Sequence, residues 1–252
     1  PALRRGIATG GMPAHAASVR QPVPLPVGAR FETRTHKGKH GQREYKLYIP
    51  AARNGENLPL IVMLHGCTQN PDDFAAGTNM NILAETHGLL VAYPAQTRSG
   101  NASSCWNWFE EGHQLREVGE PAIIAGLTRK LVAEYGIDQD QVFVAGLSAG
   151  AAMAVIMGRT YPDLFRGVGV HSGLAYQSAG NVMSAMAVMR GNAGASMFAK
   201  APSGTEAVEP VRTIIFHGSA DRTVVPSNAQ RIFDMATTKG KQAAPKTTSG
   251  SR

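Results

Sequence analysis

The pentapeptide Gly146-Leu147-Ser148-Ala149-Gly150 is the part of this sequence that points most directly to chemistry. It follows an apolar, β-branched segment and precedes a helical pattern, which is the context of a nucleophile elbow. In such an elbow the serine has a strained backbone, and the glycines avoid clashes with the adjoining strand and helix. The alternative is a glycine-rich turn with an incidental serine. We predict that Ser148 is a nucleophile.

An acidic residue stands where an elbow of this kind needs one. Asp221 follows the apolar segment Val211–Phe216, in the sequence His-Gly-Ser-Ala-Asp at 217–221. The acid of a catalytic triad follows a late strand, downstream of the serine. It holds an imidazole in one tautomer and stabilises the imidazolium. The alternative is that Asp221 caps a turn before Pro226.

The sequence also offers two backbone donors for a developing oxyanion. In hydrolases with a nucleophile elbow, one N–H comes from the residue after the serine and another from the loop after an earlier strand. Here these are Ala149 and Cys67, the latter in His65-Gly66-Cys67 at the end of an apolar run. We interpret His65 as a packed strand-end histidine, because the base of such a triad follows the nucleophile and the acid in the chain.

The two cysteines, Cys67 and Cys105, could form a disulfide. Chain-entropy arithmetic makes such a bond worth about 4 kcal/mol. It would tie the aromatic segment at 105–109 to the rim of the oxyanion site. The alternative is a pair of free buried thiols, as in a cytosolic enzyme.

Trp106 and Trp108 are the only tryptophans of the sequence, and both lie in this aromatic segment. They could form the wall of a substrate pocket for an acyl chain or an aromatic acid. They could equally fill the end of the sheet. The sequence leaves both interpretations open.

The rest of the chain predicts the elements that position these residues. Strands alternate with helices, which predicts an α/β fold with a mostly parallel sheet, right-handed crossovers and helices on both faces. An antiparallel hairpin at Arg30–Thr35 and Arg43–Ile49 comes first. The predicted sheet strands are Leu58–Leu64, Leu89–Tyr93, Gln141–Ala145, Arg166–His171 and Val211–Phe216. The predicted helices are Asp73–His87, Glu120–Tyr135, Ala149–Tyr161 and Ser227–Thr237.

The sequence predicts three regions. Residues 1–29 form a flexible N-terminal segment, residues 30–240 the α/β domain and residues 241–252 a disordered tail. Within the domain, residues 95–118 form a long loop, and residues 173–208 give no clear strand signal. Met183, Met186 and Met189 recur there at helical spacing, which favours packing in the core or in a lid over a binding stripe.

Composition excludes several other classes of protein. With 252 residues, 43% hydrophobic, the chain is neither mostly disordered nor a polytopic membrane protein. Its formal charge of +7 is scattered along the chain, and we expect no nucleic-acid partner. No apolar run approaches the ~20 residues that span a bilayer, so we expect no membrane partner either. Two cysteines are too few for a cysteine-based zinc site.

Several motifs stand together in one order along the chain. They are Leu-His-Gly-Cys-Thr-Gln-Asn (64–70), Cys-Trp-Asn-Trp-Phe (105–109), Ala-Gly-Leu-Ser-Ala-Gly (145–150), Tyr-Pro-Asp-Leu-Phe (161–165), Val-His-Ser-Gly-Leu (170–174) and His-Gly-Ser-Ala-Asp (217–221). As a set, over roughly residues 45–235, they resemble the polyhydroxybutyrate (PHB) depolymerase family of esterases, which has feruloyl and acetylxylan esterase-like relatives.

The resemblance implies an α/β-hydrolase fold, a Ser-Asp-His triad and hydrolysis of carboxylic esters, often outside the cytoplasm. Ser148 and Asp221 match the nucleophile and the acid of the family, and Cys67 matches a position in its oxyanion loop. No metal or organic cofactor is implied. The expected partner is an ester substrate of the polyhydroxyalkanoate, feruloyl or acetyl type, and the expected location is extracellular or periplasmic. Oligomeric state is left open.

One position of the family pattern has no counterpart in these residues. The family places its catalytic histidine after the acid, whereas no histidine follows His217 here. We therefore expect that the C-terminal part of the fold is truncated and that the chain as written is a poor catalyst, because losing a triad member can cost ~10⁶ in kcat. The competing hypothesis is a catalytically incomplete protein of the same fold that binds esters or polymers.

Overall fold

The computed structural model describes residues 25–51, 58–192 and 211–237. They form a seven-stranded sheet with helices on both faces. The strands are β1 (Arg30–Gly38), β2 (Gly41–Ile49), β3 (Leu60–Leu64), β4 (Leu90–Pro94), β5 (Val142–Leu147), β6 (Gly167–His171) and β7 (Arg212–Phe216). The helices are α1 (Pro71–Thr78), α2 (Met80–His87), α3 (Gly119–Tyr135), α4 (Ala149–Thr160), α5 (Val182–Met189) and α6 (Ser227–Thr237). Short 3₁₀ turns occur at Glu111–His113 and Gln139–Gln141.

The strand order is β1-β2-β4-β3-β5-β6-β7. Strands β1, β2 and β4 pair antiparallel, and β4, β3, β5, β6 and β7 pair parallel. The predicted α/β class, the N-terminal hairpin and the mostly parallel sheet are thereby confirmed. The strands β3 and β4 are almost entirely buried because helices cover both of their faces, which is why they read as continuous apolar runs.

The helix predicted over Asp73–His87 is two helices. Asn79 interrupts it with a left-handed backbone (φ 53°), so that it ends α1 and begins α2. Asparagine tolerates this conformation better than other residues with a Cβ, which explains why an otherwise helical pattern breaks there.

Helix α5 was not expected from the sequence of residues 173–208. Asn181 and Ser184 form a capping box, which fixes where the helix begins. Ala185 and Val188 are buried, whereas Met183 and Met186 are 76% and 53% exposed. Their exposure contradicts packing of these two methionines in the core, while Met189 is partly buried against it.

Some of the predicted regions lie outside the described residues. These are the predicted flexible segment, apart from residues 25–29, and the predicted tail at 241–252.

Helix α4 is the part of the core that matters most for the site. Nearly all its residues are buried, and most are alanine, glycine or another small or apolar type. Small residues let the helix lie close to the sheet: a Cβ at Gly158 would lie 2.5 Å from Cγ2 of Val168 on β6. This close packing fixes where the first turn of α4 lies relative to the strand ends.

Candidate active site

Ser148 lies in the sharp turn between β5 and α4. Its backbone has φ 56° and ψ −117°, a region that residues with a Cβ rarely occupy. The Ser148 N–H donates to the carbonyl of His171 at 2.9 Å, and its own carbonyl accepts the N–H of Ala152 at 3.0 Å. The end of β6 and the first turn of α4 therefore hold this serine in its strained conformation, as the motif predicts for a nucleophile elbow.

The two glycines of the motif are required by close backbone contacts. A Cβ at Gly146 would lie 2.3 Å from the carbonyl carbon and oxygen of Gly150. A Cβ at Gly150 would lie 2.1 Å from the carbonyl oxygen of Leu64 and 2.5 Å from that of His65. Only hydrogen fits at either position. The same contacts bring the start of α4 against the end of β3.

Ala149 is the first residue of α4, and the first N–H groups of a helix have no acceptor within the helix. They carry the positive end of the helix dipole. Because Gly150 contacts the carbonyls of Leu64 and His65, the Ala149 N–H and the loop after β3 lie at the same edge of the sheet.

His65 is buried at the end of β3, with both ring nitrogens in hydrogen bonds. Nδ1 contacts the carbonyl of Gly66 at 2.8 Å, and Nε2 accepts the N–H of Gln96 at 3.0 Å. The Gln96 donor assigns the proton of a neutral ring to Nδ1. Burial lowers the pKa of His65, although its bond to Gly66 opposes this, so the neutral form is favoured. The structure thus agrees with the interpretation of His65 as a packed strand-end residue.

The loop after β3 is shaped by side-chain and backbone bonds. The Gly66 N–H donates to Oε1 of Gln69 at 2.8 Å, and the Thr68 N–H donates to the carbonyl of Ser103 at 2.7 Å. Cys67 lies between these two anchored residues and is partly buried.

Cys67 and Cys105 form a disulfide, with their Cα atoms 4.2 Å apart. Of the two alternatives left open by the sequence, the structure contains the disulfide. The bond and the neighbouring Thr68–Ser103 hydrogen bond attach the loop at 95–118 to the loop after β3.

Trp106 and Trp108 both lie in the core. Trp106 is fully buried, its Nε1–H donates to the His65 carbonyl at 3.1 Å, and its ring packs 5.7 Å from the His65 ring. Trp108 is 5% exposed. Its ring packs edge-to-face with that of Phe109, and the two ring centroids are 5.7 Å apart. This burial favours the interpretation that the two rings fill the end of the sheet, since neither presents an open surface to a ligand.

A buried polar network underlies these loops, and sequence reasoning did not find it. The carboxylate of Glu120, 2% exposed at the start of α3, accepts the Asn107 N–H at 2.9 Å and Nδ2–H at 3.0 Å. Gln96 donates to the same carboxylate and accepts from the guanidinium of Arg43. Only the tertiary structure brings these residues together. The one sequence signal was an acidic residue in a first helical turn.

Asp221 lies in the turn after β7. Its Oδ1 accepts the N–H groups of Thr223 and Val224, each at 2.9 Å. Burial acts to raise the pKa of Asp221, but the N–H of Val224, the Ser172 hydroxyl, the N–H of Thr223 and the charge of His217 outweigh it and lower the pKa. The carboxylate is therefore ionised at neutral pH. Asp221 therefore caps this turn, as the alternative interpretation expects, and Oδ1 accepts both capping hydrogen bonds.

His217 packs against this turn. Its side chain is 5% exposed, and Nε2 contacts the carbonyl of Val224 at 2.7 Å and Oδ2 of Asp221 at 3.6 Å. The ring therefore packs against the turn after β7 and contacts both of its ends.

The topology brings the predicted nucleophile and acid to one edge of the sheet. Parallel pairing aligns Leu147 of β5 with His171 of β6, and His171 with Phe216 of β7. Ser148 directly follows β5, and Asp221 follows β7, so two strand spacings of about 4.8 Å separate the strands that carry them.

Among residues 25–51, 58–192 and 211–237, no three histidine, cysteine or acidic side chains are grouped so as to hold a metal ion. In the same ranges no helix is long and apolar enough to span a membrane.

Comparisons with solved structures identify the fold class. The acetyl xylan esterase from Aspergillus awamori superimposes with a TM-score of 0.65 at 25% identity, over 79% of this chain and 76% of that one. An S-formylglutathione hydrolase from Agrobacterium tumefaciens superimposes with a TM-score of 0.57 at 17% identity, over 86% and 85%. The protein has an α/β-hydrolase fold.

Sequence comparisons define the family within that fold. The family model described as Esterase PHB depolymerase matches residues 43–239. Poly(3-hydroxyalkanoate) depolymerase C of Paucimonas lemoignei is 36% identical over 187 residues, 72% of this chain and 45% of that protein. Acetylxylan esterase A of Talaromyces purpureogenus is 32% identical over 200 residues, 72% and 50%. The chain belongs to the PHB depolymerase family of esterases, and it spans about half the length of these relatives.

The close contacts at Gly150 predict that a side chain at this position destabilises the fold. Gly150→Ala forces a Cβ into the Leu64 and His65 carbonyls, so we expect the free energy of unfolding to fall by about 3 kcal/mol. The control is Gly77→Ala in α1, where an added Cβ would have no neighbouring atom within 4 Å. This substitution should raise the free energy of unfolding by ~0.5–1 kcal/mol. Urea unfolding of both variants measures this. Equal stabilities would contradict the close approach of α4 to β3.

The disulfide makes a second prediction. It closes a separation of 38 residues, so removing it should cost about 4 kcal/mol and lower Tm by about 10 °C. Calorimetry with and without dithiothreitol should show this drop in the native protein. The double variant Cys67→Ala/Cys105→Ala should melt at the lower temperature and not respond to dithiothreitol. A native Tm that reductant leaves unchanged would argue against the bond.

Proposed function

We propose that this protein is a serine carboxylic ester hydrolase, with Ser148 as nucleophile and Asp221 as the acid of its triad. The observation that carries the proposal is the strained elbow at Ser148, because a strained, non-glycine backbone is maintained only where the surrounding structure enforces it. Membership of the PHB depolymerase family supports ester hydrolysis as the reaction.

In the proposed reaction the Ser148 hydroxyl oxygen bonds to the ester carbonyl carbon while its proton passes to a base. The negative charge that forms on the carbonyl oxygen is stabilised by the N–H groups of Cys67 and Ala149. Gln69 supports this assignment, because it already accepts the neighbouring Gly66 N–H and so sets the direction of the loop. The tetrahedral intermediate expels the alcohol, which takes the proton from the base. Water then clears the acyl group by the same two steps.

In this proposal Asp221 interacts with the imidazole base and not with the substrate. An ionised carboxylate at this edge of the sheet holds an imidazole in one tautomer and stabilises its protonated form. The lowered pKa of Asp221 supports this role, since the group stays charged at neutral pH. His65 bonds to the backbone of Gly66 and Gln96, and Nε2 of His217 contacts the carbonyl of Val224, so we assign the base to neither.

The relatives suggest the class of ester. One matched protein is a poly(3-hydroxyalkanoate) depolymerase and others are acetylxylan esterases, so we propose polyesters or acetylated polysaccharides as substrates. Feruloyl esters rest on the sequence resemblance alone. We propose an extracellular or periplasmic location, which the disulfide supports because such bonds persist in oxidising compartments.

A second candidate is an ester- or polymer-binding protein without turnover. The observation in its favour is that backbone groups engage both ring nitrogens of His65 and Nε2 of His217. This candidate predicts binding to polyester granules that is equal in the native protein and in Ser148→Ala, with no hydrolysis by either.

The two candidates are separated by the hydrolysis of p-nitrophenyl acetate and butyrate by the complete natural chain. We expect turnover that Ser148→Ala lowers by ~10⁴–10⁶ in kcat, because the nucleophile is lost. Ser178→Ala is the matched control, since it truncates a buried serine whose hydroxyl has no hydrogen-bond partner among the described residues. Equal rates for the native protein and Ser148→Ala would rule the proposed esterase out.

A further inference from the structure

His65 lies directly before the loop that the proposed reaction uses to bind its oxyanion. The residue is 1% exposed at the end of β3, and its ring packs 5.7 Å from the ring of Trp106. The indole N–H of Trp106 also holds the backbone carbonyl of His65, at 3.1 Å. The proposed reaction does not use this buried imidazole.

The hydrogen bonds of the ring fix its tautomer and its orientation. A carbonyl oxygen only accepts, so the 2.8 Å contact between Nδ1 and the Gly66 carbonyl requires a proton on Nδ1. The Gln96 N–H reaches Nε2 at 3.0 Å, which requires a lone pair there. One neutral tautomer makes both bonds, so the ring cannot rotate without losing them.

The Gly66 carbonyl belongs to the same peptide unit as the Cys67 N–H. This unit is planar and trans, so its C=O and its N–H point in opposite directions. A bond that holds the carbonyl therefore also sets the direction of the N–H. The Gln69 N–H reaches the same carbonyl at 3.4 Å, so the shorter bond is the one from His65. A bond donated to the carbonyl also polarises the peptide and strengthens its N–H as a donor.

The N–H groups on either side of Cys67 are already engaged. The Gly66 N–H donates to Oε1 of Gln69, and the Thr68 N–H donates to the carbonyl of Ser103. The Cys67 N–H between them donates to no acceptor among the residues that the structure describes. This loop therefore keeps one N–H for a ligand, and His65 holds the peptide that carries it.

We propose that His65 is a positioning residue, whose Nδ1–H fixes the Gly66–Cys67 peptide so that the Cys67 N–H faces the developing oxyanion. The inference rests on the proposed function, because the direction of this N–H has a kinetic consequence only if it meets an oxyanion. The competing role is structural: the ring would only join the ends of β3 and β4 through Gln96.

Two substitutions separate these roles, because each can retain one of the two bonds. The carboxamide of His65→Asn can place an N–H near the position of Nδ1, toward the Gly66 carbonyl. The longer carboxamide of His65→Gln can place an oxygen near the position of Nε2, toward the Gln96 N–H. Both replace a buried ring, so both should lower Tm.

The kinetic test uses the complete natural chain and p-nitrophenyl butyrate. In His65→Gln we expect kcat to fall about ten- to hundredfold with little change in KM, because an oxyanion donor acts in the transition state. His65→Asn should retain most of the native kcat. His87→Gln, at an exposed histidine that ends α2, is the matched control and should keep the native kcat and Tm. Equal kcat values in the two His65 variants, a lower kcat in His65→Asn, or losses that follow Tm would each overturn the inference.

Long-range proton–nitrogen NMR spectra check the ring without any turnover. In the native protein His65 should be neutral, with its proton on Nδ1, and a proton on Nε2 instead would overturn the inference. All these outcomes leave the proposed function intact if Ser148→Ala is inactive. Turnover that does not depend on Ser148 would overturn both.

Discussion

The candidate site depends on one close approach, that of helix α4 to the ends of β3 and β5. Gly146 and Gly150 allow the backbones to meet at distances that exclude any Cβ. This contact brings the start of α4, and with it the strained turn at Ser148, against the end of β3. The family motif is thus a packing requirement as much as a chemical signature, since its glycines determine where its serine lies.

Around that contact, hydrogen bonds and a disulfide join the neighbouring loops to one another. His65 links the ends of β3 and β4, the disulfide links Cys67 to Cys105, and Glu120 accepts bonds from the loop that carries Trp106. On the other side, the carbonyl of His171 at the end of β6 accepts the N–H of Ser148. The buried carboxylate of Glu120 thereby joins Asn107 of the loop at 95–118 to the start of α3.

The sequence predicted what local patterns determine and missed what distant residues decide. Continuous apolar runs predicted the parallel strands, and the spacing of glycines around Ser148 predicted the elbow. The break at Asn79 was missed because helical periodicity continues across it. The exposure of Met183 was missed because its spacing does not reveal which face of α5 turns inward. Glu120 was missed because its partners, Gln96 and Asn107, are remote from it in the chain.

Covalent labelling tests whether Ser148 is an activated nucleophile. The complete natural chain is incubated with a fluorophosphonate, digested and mapped by mass spectrometry, with Ser178→Ala and Ser148→Ala treated alongside. We expect a single phosphonylated peptide that contains Ser148, present in the native protein and in Ser178→Ala and absent from Ser148→Ala. Label on another residue, or an unlabelled native protein, would contradict it.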